Sequence, residues 1–340
     1  MGKEYTIAEF NRILDGLAHK YRLIGPVRRE GQGAFSDTDA VGYGEFASAE
    51  QLILHEKSCF SPKEFIFPIR ETLFRFNGAR TEVPEDDNRD MILFLRPCDI
   101  NGIKRLDAIF INNGGETDFY YQRLRKKVRF FMIECREGFD SCFCVSMNSS
   151  RTEDYSCALR FSDDTVSAEV CGREFADAFS GGAEVPFTPE FVQENRVRVN
   201  VPPPEKINYP ALFEHPLWKE YTSRCIACGR CNTSCVTCSC FTMQDVQYDR
   251  NRMLAERRRV WAGCHINGFT DMAGGHSFRS KNGDRMRFKT MHKINDFYRR
   301  FGFHMCVGCG RCDDVCPEYI SFAGCINKLD QIVREMSNDK

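Results

Sequence analysis

The spacing of hydrophobic residues changes period several times along the first half of the chain, and each period predicts an element. Phe10, Ile13, Leu14 and Leu17 recur at helical intervals. Thr6 and Glu9 stand three apart just ahead of them, the pattern of a capping box, so a helix should begin after Thr6 and end near Lys20. FIFPI (65–69) and LFRF (73–76) read as strands within a mixed stretch, and Glu82 to Asp90 as an acidic surface loop. MILFL (91–95) and VRFFMIE (128–134) are unbroken apolar runs, as expected of strands buried on both faces. IKRLDAIF (103–110), between them, has helical spacing. Strands joined by such a crossover are usually parallel and close. Their carboxyl ends then share one sheet edge, where open α/β sheets place ligands. ALRF and VSAEV flank Ser162-Asp163-Asp164 and predict a hairpin over 157–171.

Val201-Pro202-Pro203-Pro204 reads as an extended linker, because consecutive prolines hold a non-helical path. The expected organisation is therefore an α+β or mixed α/β domain over 1–200 and a mainly α-helical domain over 205–340. QYDRNRMLAERRRVWAG and HKINDFYRRFG are the helix candidates of the second domain.

Chemistry concentrates in that second domain. CIACGRCNTSC carries Cys225, Cys228, Cys231 and Cys235, and CVGCGRCDDVCP carries Cys306, Cys309, Cys312 and Cys316. Both have the spacing C-x2-C-x2-C-x3-C of bacterial iron–sulfur ligation, in which the fourth Cys of each run ligates the other run's cluster. The assignment is cluster A on Cys225, Cys228, Cys231 and Cys316, and cluster B on Cys306, Cys309, Cys312 and Cys235. Gly229 and Gly310 follow the second Cys of each run, where a missing Cβ lets backbone approach inorganic sulfide. Zinc is the main alternative, but it favours separated C-x2-C pairs. About 70 residues separate the runs, too many for a compact ferredoxin, so a ferredoxin-like pair of 4Fe-4S clusters on a helical scaffold is expected.

The sheet edge supplies a second group of thiols. Cys98 follows the first buried strand, Cys135 ends the second, and Cys142 and Cys144 lie in the next loop. Four thiols converging there make a third cluster, with Asp99 read as a helix N-cap rather than a ligand. Cys59, Cys157 and Cys171 read as structural. Cys238, Cys240 and Cys264 read as buried thiols or spare ligands, and His276 as an ordinary core or surface histidine.

Composition narrows the class. The 340 residues include 19 Cys, an excess that points to metal or redox chemistry in a reducing, cytoplasmic setting. The amino-terminal sequence has no apolar signal core, and no membrane span is expected. A formal net charge of −1 argues against a globally basic nucleic-acid binder. Two basic runs remain: Arg250, Arg252, Arg257, Arg258 and Arg259, then Arg279, Lys281, Arg285, Arg287 and Lys289. They read as solvated faces or as a docking surface for an acidic partner. Arg230 and Arg311, beside ligand cysteines, read either as loop charges or as groups that favour a cluster's reduced state. No flavin, nucleotide or sirohaem fingerprint is present.

RCIACGRCNTSCVTCSC, RRRVWAGCHINGFTDMAGGHSFR and FGFHMCVGCGRCDDVCP, with RPCDINGIKRLD and IECREGFDSCFCVSM in the first half, carry a resemblance that spans the chain. The sequence resembles the iron–sulfur electron-transfer subunits of two kinds of enzyme, anaerobic sulfite reductases and cytoplasmic sulfhydrogenase-type hydrogenases, whose β subunits are of this type. GAFSDTDAVGY, HEKSCFSP, PLWKEYTSRC and CDDVCPEYI look more like the sulfite reductase branch. The resemblance implies a non-catalytic redox subunit. Electrons would come from a flavin- and NAD(P)H-binding partner and would pass to a sirohaem subunit that reduces sulfite to sulfide. The alternative is the electron-transfer subunit of a NiFe hydrogenase complex. The resemblance also implies the third cluster.

Overall fold

The computed structural model describes residues 2–85, 87, 89–250 and 253–338. The strands are β1 (Gly2–Thr6), β2 (Tyr21–Arg29), β3 (Ala40–Glu45), β4 (Arg70–Asn77), β5 (Arg80–Glu82), β6 (Asp90–Leu95), β7 (Val128–Ile133), β8 (Cys157–Phe161), β9 (Thr165–Val170), β10 (Ala183–Val185), β11 (Phe241–Gln247) and β12 (Leu254–Trp261). The first helices are α1 (Ile7–Ala18), α2 (Pro97–Phe110) and α3 (Phe119–Arg125). After the linker come α4 (Tyr209–Phe213), α5 (Leu217–Arg224), α6 (Arg230–Thr233), α7 (Asn282–Met291), α8 (Phe297–Phe301), α9 (Arg311–Asp314) and α10 (Phe322–Asn338).

The first half is a mixed α/β layer structure. Its sheet runs β10-β1-β9-β8-β7-β6-β2-β3, with β2, β6, β7 and β8 parallel and the flanking strands antiparallel. Side chains alternate across a strand, and here both faces are covered. Met91, Leu93 and Leu95 of β6 pack with Ile100, Ile103 and Leu106 of α2. Ile92 and Phe94 pack on the other face with Phe10, Leu14 and Leu17 of α1. Burying each such side chain contributes on the order of 2 kcal/mol. The capping box of α1 is formed, with the Glu9 amide bonded to Thr6 Oγ1 and Glu9 returning to the Thr6 amide. The hairpin expected over 157–171 is β8–β9.

Two expected elements are replaced. FIFPI is no strand: Pro62–Phe65 forms a short 3-10 helix, and extended structure starts at Arg70. QYDRNRMLAERRRVWAG is no helix: its second half is β12, paired with β11 on one side and with β4 of the first half on the other. Helix-forming composition loses because Arg259 reaches Glu71 and Asp118, and Trp261 donates its backbone N–H to Ile69, contacts that only a strand beside β4 permits. The second half thus adds a pair of strands, β11 and β12, to its helices. Residues 201–203 of the expected linker carry no regular element and Pro204 opens a short 3-10 helix to Lys206; contacts cross this stretch freely, because the four-stranded sheet β11-β12-β4-β5 draws on both halves. Phe143 and Met147 likewise join the core built by Trp218, Met286, Ile294, Phe322 and Ile326.

HKINDFYRRFG is helical as expected, with one feature unforeseen. His292–Asp296 form a π-helical turn between α7 and α8, giving a continuous helix from Asn282 to Phe301. Such turns occur mostly inside α-helices, often at functional sites.

Candidate metal centres

The cysteines of the two runs sit on matching loops. Cys225 follows the last turn of α5, and the Ala227 amide donates to its sulfur at 3.4 Å. Cys306 is matched by the Gly308 amide, also at 3.4 Å. Ala227 and Gly308 both have positive φ, +57° and +63°, which turns these amides back toward the sulfur. Gly229 and Gly310 (φ +74° and +72°) then lead into the single-turn helices α6 and α9, which carry the third Cys of each run.

Cys225, Cys228, Cys231 and Cys316 line one pocket, together with His265 and Lys289. Cys235, Cys306, Cys309 and Cys312 line the next, with Lys289 and Lys293. The chain therefore brings the fourth Cys of each run to the other run's first three. The two pockets share Cys231, Cys312, Lys289 and Phe322 in their walls.

A third pocket holds Cys98, Cys135, Cys142 and Cys144. Its origin is the parallel pairing of Leu95 with Met132, which leaves Cys98 and Cys135 three residues beyond, at the same sheet edge. Cys309 lines this pocket as well as the second. The second run lies flush against the 141–144 loop: Phe143 donates its amide to the Gly308 carbonyl at 2.7 Å. A Cβ on Gly310 would stand 2.3 Å from the Ser141 carbonyl oxygen. Gly310 thus serves loop packing. Among the described residues, no three His, Cys, Asp or Glu side chains converge as on a single metal ion.

Electrostatics separate the thiols. Burial raises the Cys98 thiol well above its ordinary value and pushes Cys144 and Cys306 up to about 12. Cys235 moves the other way. The Cys238 thiol donates to it, and Lys293 and Thr237 add to the effect, so its pKa is held well below the usual thiol range. Lys293 Nζ lies 3.4 Å from Cys235 Sγ and 2.9 Å from Thr237 Oγ1. His265 is buried beside Cys225, and burial lowers its pKa strongly. Among the described residues its Nε2 has no hydrogen-bond partner.

These features fit a bulky inorganic anion in the first two pockets. Amides point at sulfurs, a buried imidazole atom lacks a partner, and two buried lysines face thiols. A buried charge is otherwise costly unless paired.

Several other residues fall elsewhere than expected. Asp99 is inside α2, whose N-cap is Arg96; it is fully buried and bonded to Arg311 and Tyr43. Arg311 is therefore no solvent-facing loop charge, whereas Arg230 is exposed. The basic runs are largely consumed internally. Arg257 pairs with Asp245 and Arg259 with Glu71 and Asp118. Arg285 and Arg287 are buried, and Lys289 lies among thiols; Arg252 lies outside the described residues. Cys238 and Cys264 are buried and share Asn232 Nδ2 as donor, at 3.5 and 3.4 Å, behind the first run. Cys240 is half-buried nearby. His276 is exposed against Phe278. Lys289, Lys293 and His265 carry no motif; α7 brings Lys289, the π turn Lys293 and the loop after β12 His265 to the thiols.

Residues 224–320 match the family model of a 4Fe-4S dicluster domain. The chain thus carries a two-cluster iron–sulfur domain of electron-transfer type. Over 97% of its length it is similar to sulfhydrogenase 2 subunit beta of Pyrococcus furiosus, at 29% identity and covering 96% of that protein. No solved structure matches it significantly.

Proposed function

We propose that the chain is a non-catalytic electron-transfer subunit holding three 4Fe-4S clusters. Cluster A is held by Cys225, Cys228, Cys231 and Cys316, cluster B by Cys306, Cys309, Cys312 and Cys235, and a third by Cys98, Cys135, Cys142 and Cys144. The observation that carries this reading is the grouping of twelve cysteines around three contiguous pockets, with Cys231, Cys312 and Cys309 in the walls between them. When bound, the clusters supply one-electron carriers. The protein's part is to hold them close, exclude water and set their potentials.

The complex it serves is read as hydrogenase-type, supported by similarity over nearly full length to a sulfhydrogenase β subunit. The second reading is the electron-transfer subunit of an anaerobic sulfite reductase, taking electrons from a flavin- and NAD(P)H-binding partner and feeding a sirohaem subunit. The stretches GAFSDTDAVGY and CDDVCPEYI favour it. Both readings place the protein in the cytoplasm; among the described residues no helix is long and apolar enough to cross a membrane. As domains, we read 1–200 and 205–340, interlocked through the shared sheet.

The test is anaerobic purification with an iron and acid-labile sulfide count. Three cubane clusters require about twelve of each. About eight removes the third site, and zinc in place of iron removes the electron-transfer reading. Nickel in the co-purified complex selects the hydrogenase; a sirohaem absorbance band selects the sulfite reductase.

A further inference from the structure

Lys289 and Lys293 stand four residues apart on the helix from Asn282 to Phe301, so both side chains leave the same face. They are 4% and 3% exposed. Among the described residues neither forms an ion pair with a carboxylate. Lys289 lines the first and second pockets with Cys231 and Cys312. Lys293 Nζ stands 3.4 Å from Cys235 Sγ and lines the second pocket with Cys306. Ammonium groups this deep need an anion. The single sulfur of Cys235 stands against Lys293 alone; a cube bearing four thiolates answers both lysines.

The two lysines are not equivalent. Lys289 stands in the wall shared by the first and second pockets, whereas Lys293 lines only the second and touches its ligand Cys235. The second pocket thus faces two buried cations and the first faces one. Of the other cations around these thiols, Arg311 is paired with Asp99 and Lys57 with Asp314 at 2.6 Å, while Arg105 and the buried Lys63 donate to backbone carbonyls.

Resting on the cluster reading above, we propose that Lys289 and Lys293 set the order of potentials in the dicluster domain, making cluster B the more easily reduced of the pair. Reduction adds one electron to an already anionic group and breaks no bond. A fixed positive charge a few ångströms away stabilises the reduced form, more so in a water-poor interior. B is also the middle site, sharing wall residues with A on one side and Cys309 with the third pocket on the other. An electron on A therefore passes downhill to B, which stands beside the third pocket.

The test is an EPR-monitored redox titration of the full-length, cluster-loaded protein, reduced with dithionite. Cys228→Ala marks which signal belongs to A. Iron and sulfide counts made beforehand separate loss of clusters from a change in potential, so a failure of the cluster reading is seen first. Lys293→Met should lower the midpoint of B and leave A in place. Lys289→Met should lower both. Lys293→Arg should return B toward its original value, which a merely structural role would not require. If Lys293→Met disturbs assembly, Lys293→Gln keeps a polar group beside Thr237 Oγ1 while removing the charge. Unchanged midpoints at full iron content, equal shifts of A and B from the Lys293 change, or a wild-type A more easily reduced than B would overturn the proposal.

Discussion

Arg311 and Asp99 form a two-pronged ion pair in the protein interior. Nη1 lies 2.5 Å from Oδ1 and Nη2 2.8 Å from Oδ2, and the Asp99 side chain is fully buried. Arg311 stands between Cys309 and Cys312 in the second run, and Asp99 follows Cys98 at the start of α2. The pair therefore ties the second cysteine run to the sheet edge that carries the third pocket. Arg311 also donates to the Ser58 hydroxyl and carbonyl, and Tyr43 Oη donates to Asp99 Oδ2.

Removing one partner leaves the other charged and buried, which costs about 3–5 kcal/mol. Asp99→Ala should lower the thermal unfolding midpoint sharply and reduce iron content. An apolar pair, Asp99→Leu with Arg311→Met, should recover part of the loss. Differential scanning calorimetry under anaerobic conditions reads both. A single variant as stable as the parent would show that the pair does not hold the two loops together.

The crossing of the two runs can be read from paired substitutions. Cys228→Ala with Cys316→Ala touches one cluster twice, so iron should fall by about four atoms. Cys228→Ala with Cys235→Ala touches both clusters and should remove about eight. Reversed losses would mean that each run keeps its own fourth cysteine.

The third pocket is separable from the other two. Cys98→Ser should remove about four irons and one set of EPR signals while the dicluster signals persist. Signals and iron unchanged from the parent would return Cys98 to a structural role.

Gly310 is constrained twice, by its positive φ and by Ser141. Gly310→Ala forces a side chain into the left-handed region, at roughly 1–2 kcal/mol, and drives a Cβ into backbone. Denaturant unfolding should show a loss of about 2 kcal/mol or more. The matched change Gly229→Ala meets only the flexible end of Ile266 and should cost less.

His292 gives an acid-sensitive element. Burial, reinforced by Lys293, depresses its pKa from 6.5 to about 4. The unfolded chain takes up a proton at this residue before the folded one does, so its contribution is present above pH 6.5 and is lost as pH falls toward about 4. His292→Phe, stacked on Phe288 as the imidazole is, should flatten that part of the stability–pH curve. An unaltered curve would assign the acid limb to other groups.

Local patterning determined much of this protein. The continuous apolar runs of β6 and β7 could only be strands covered on both faces, because no polar side was left for water. Their shared sheet edge followed from the crossover helix, and with it the approach of Cys98 to Cys135. The capping box at Thr6 and the spacing of the two cysteine runs are likewise short-range information, carried by residues within a turn or two of each other.

Tertiary structure decided what depends on partners distant in sequence. A helix-forming composition became β12 because β4, nearly two hundred residues earlier, offered an open edge and Glu71 a buried carboxylate for Arg259. Asp99 looked like a cap and became an anchor because Arg311 lies opposite. Lys289 looked like one charge among several on a solvated face and became a buried cation between two thiol pockets, through the path of the helix that carries it. Periodicity records which side of an element is apolar. It does not record which buried charge will meet which, since that pairing exists only once the layers have docked.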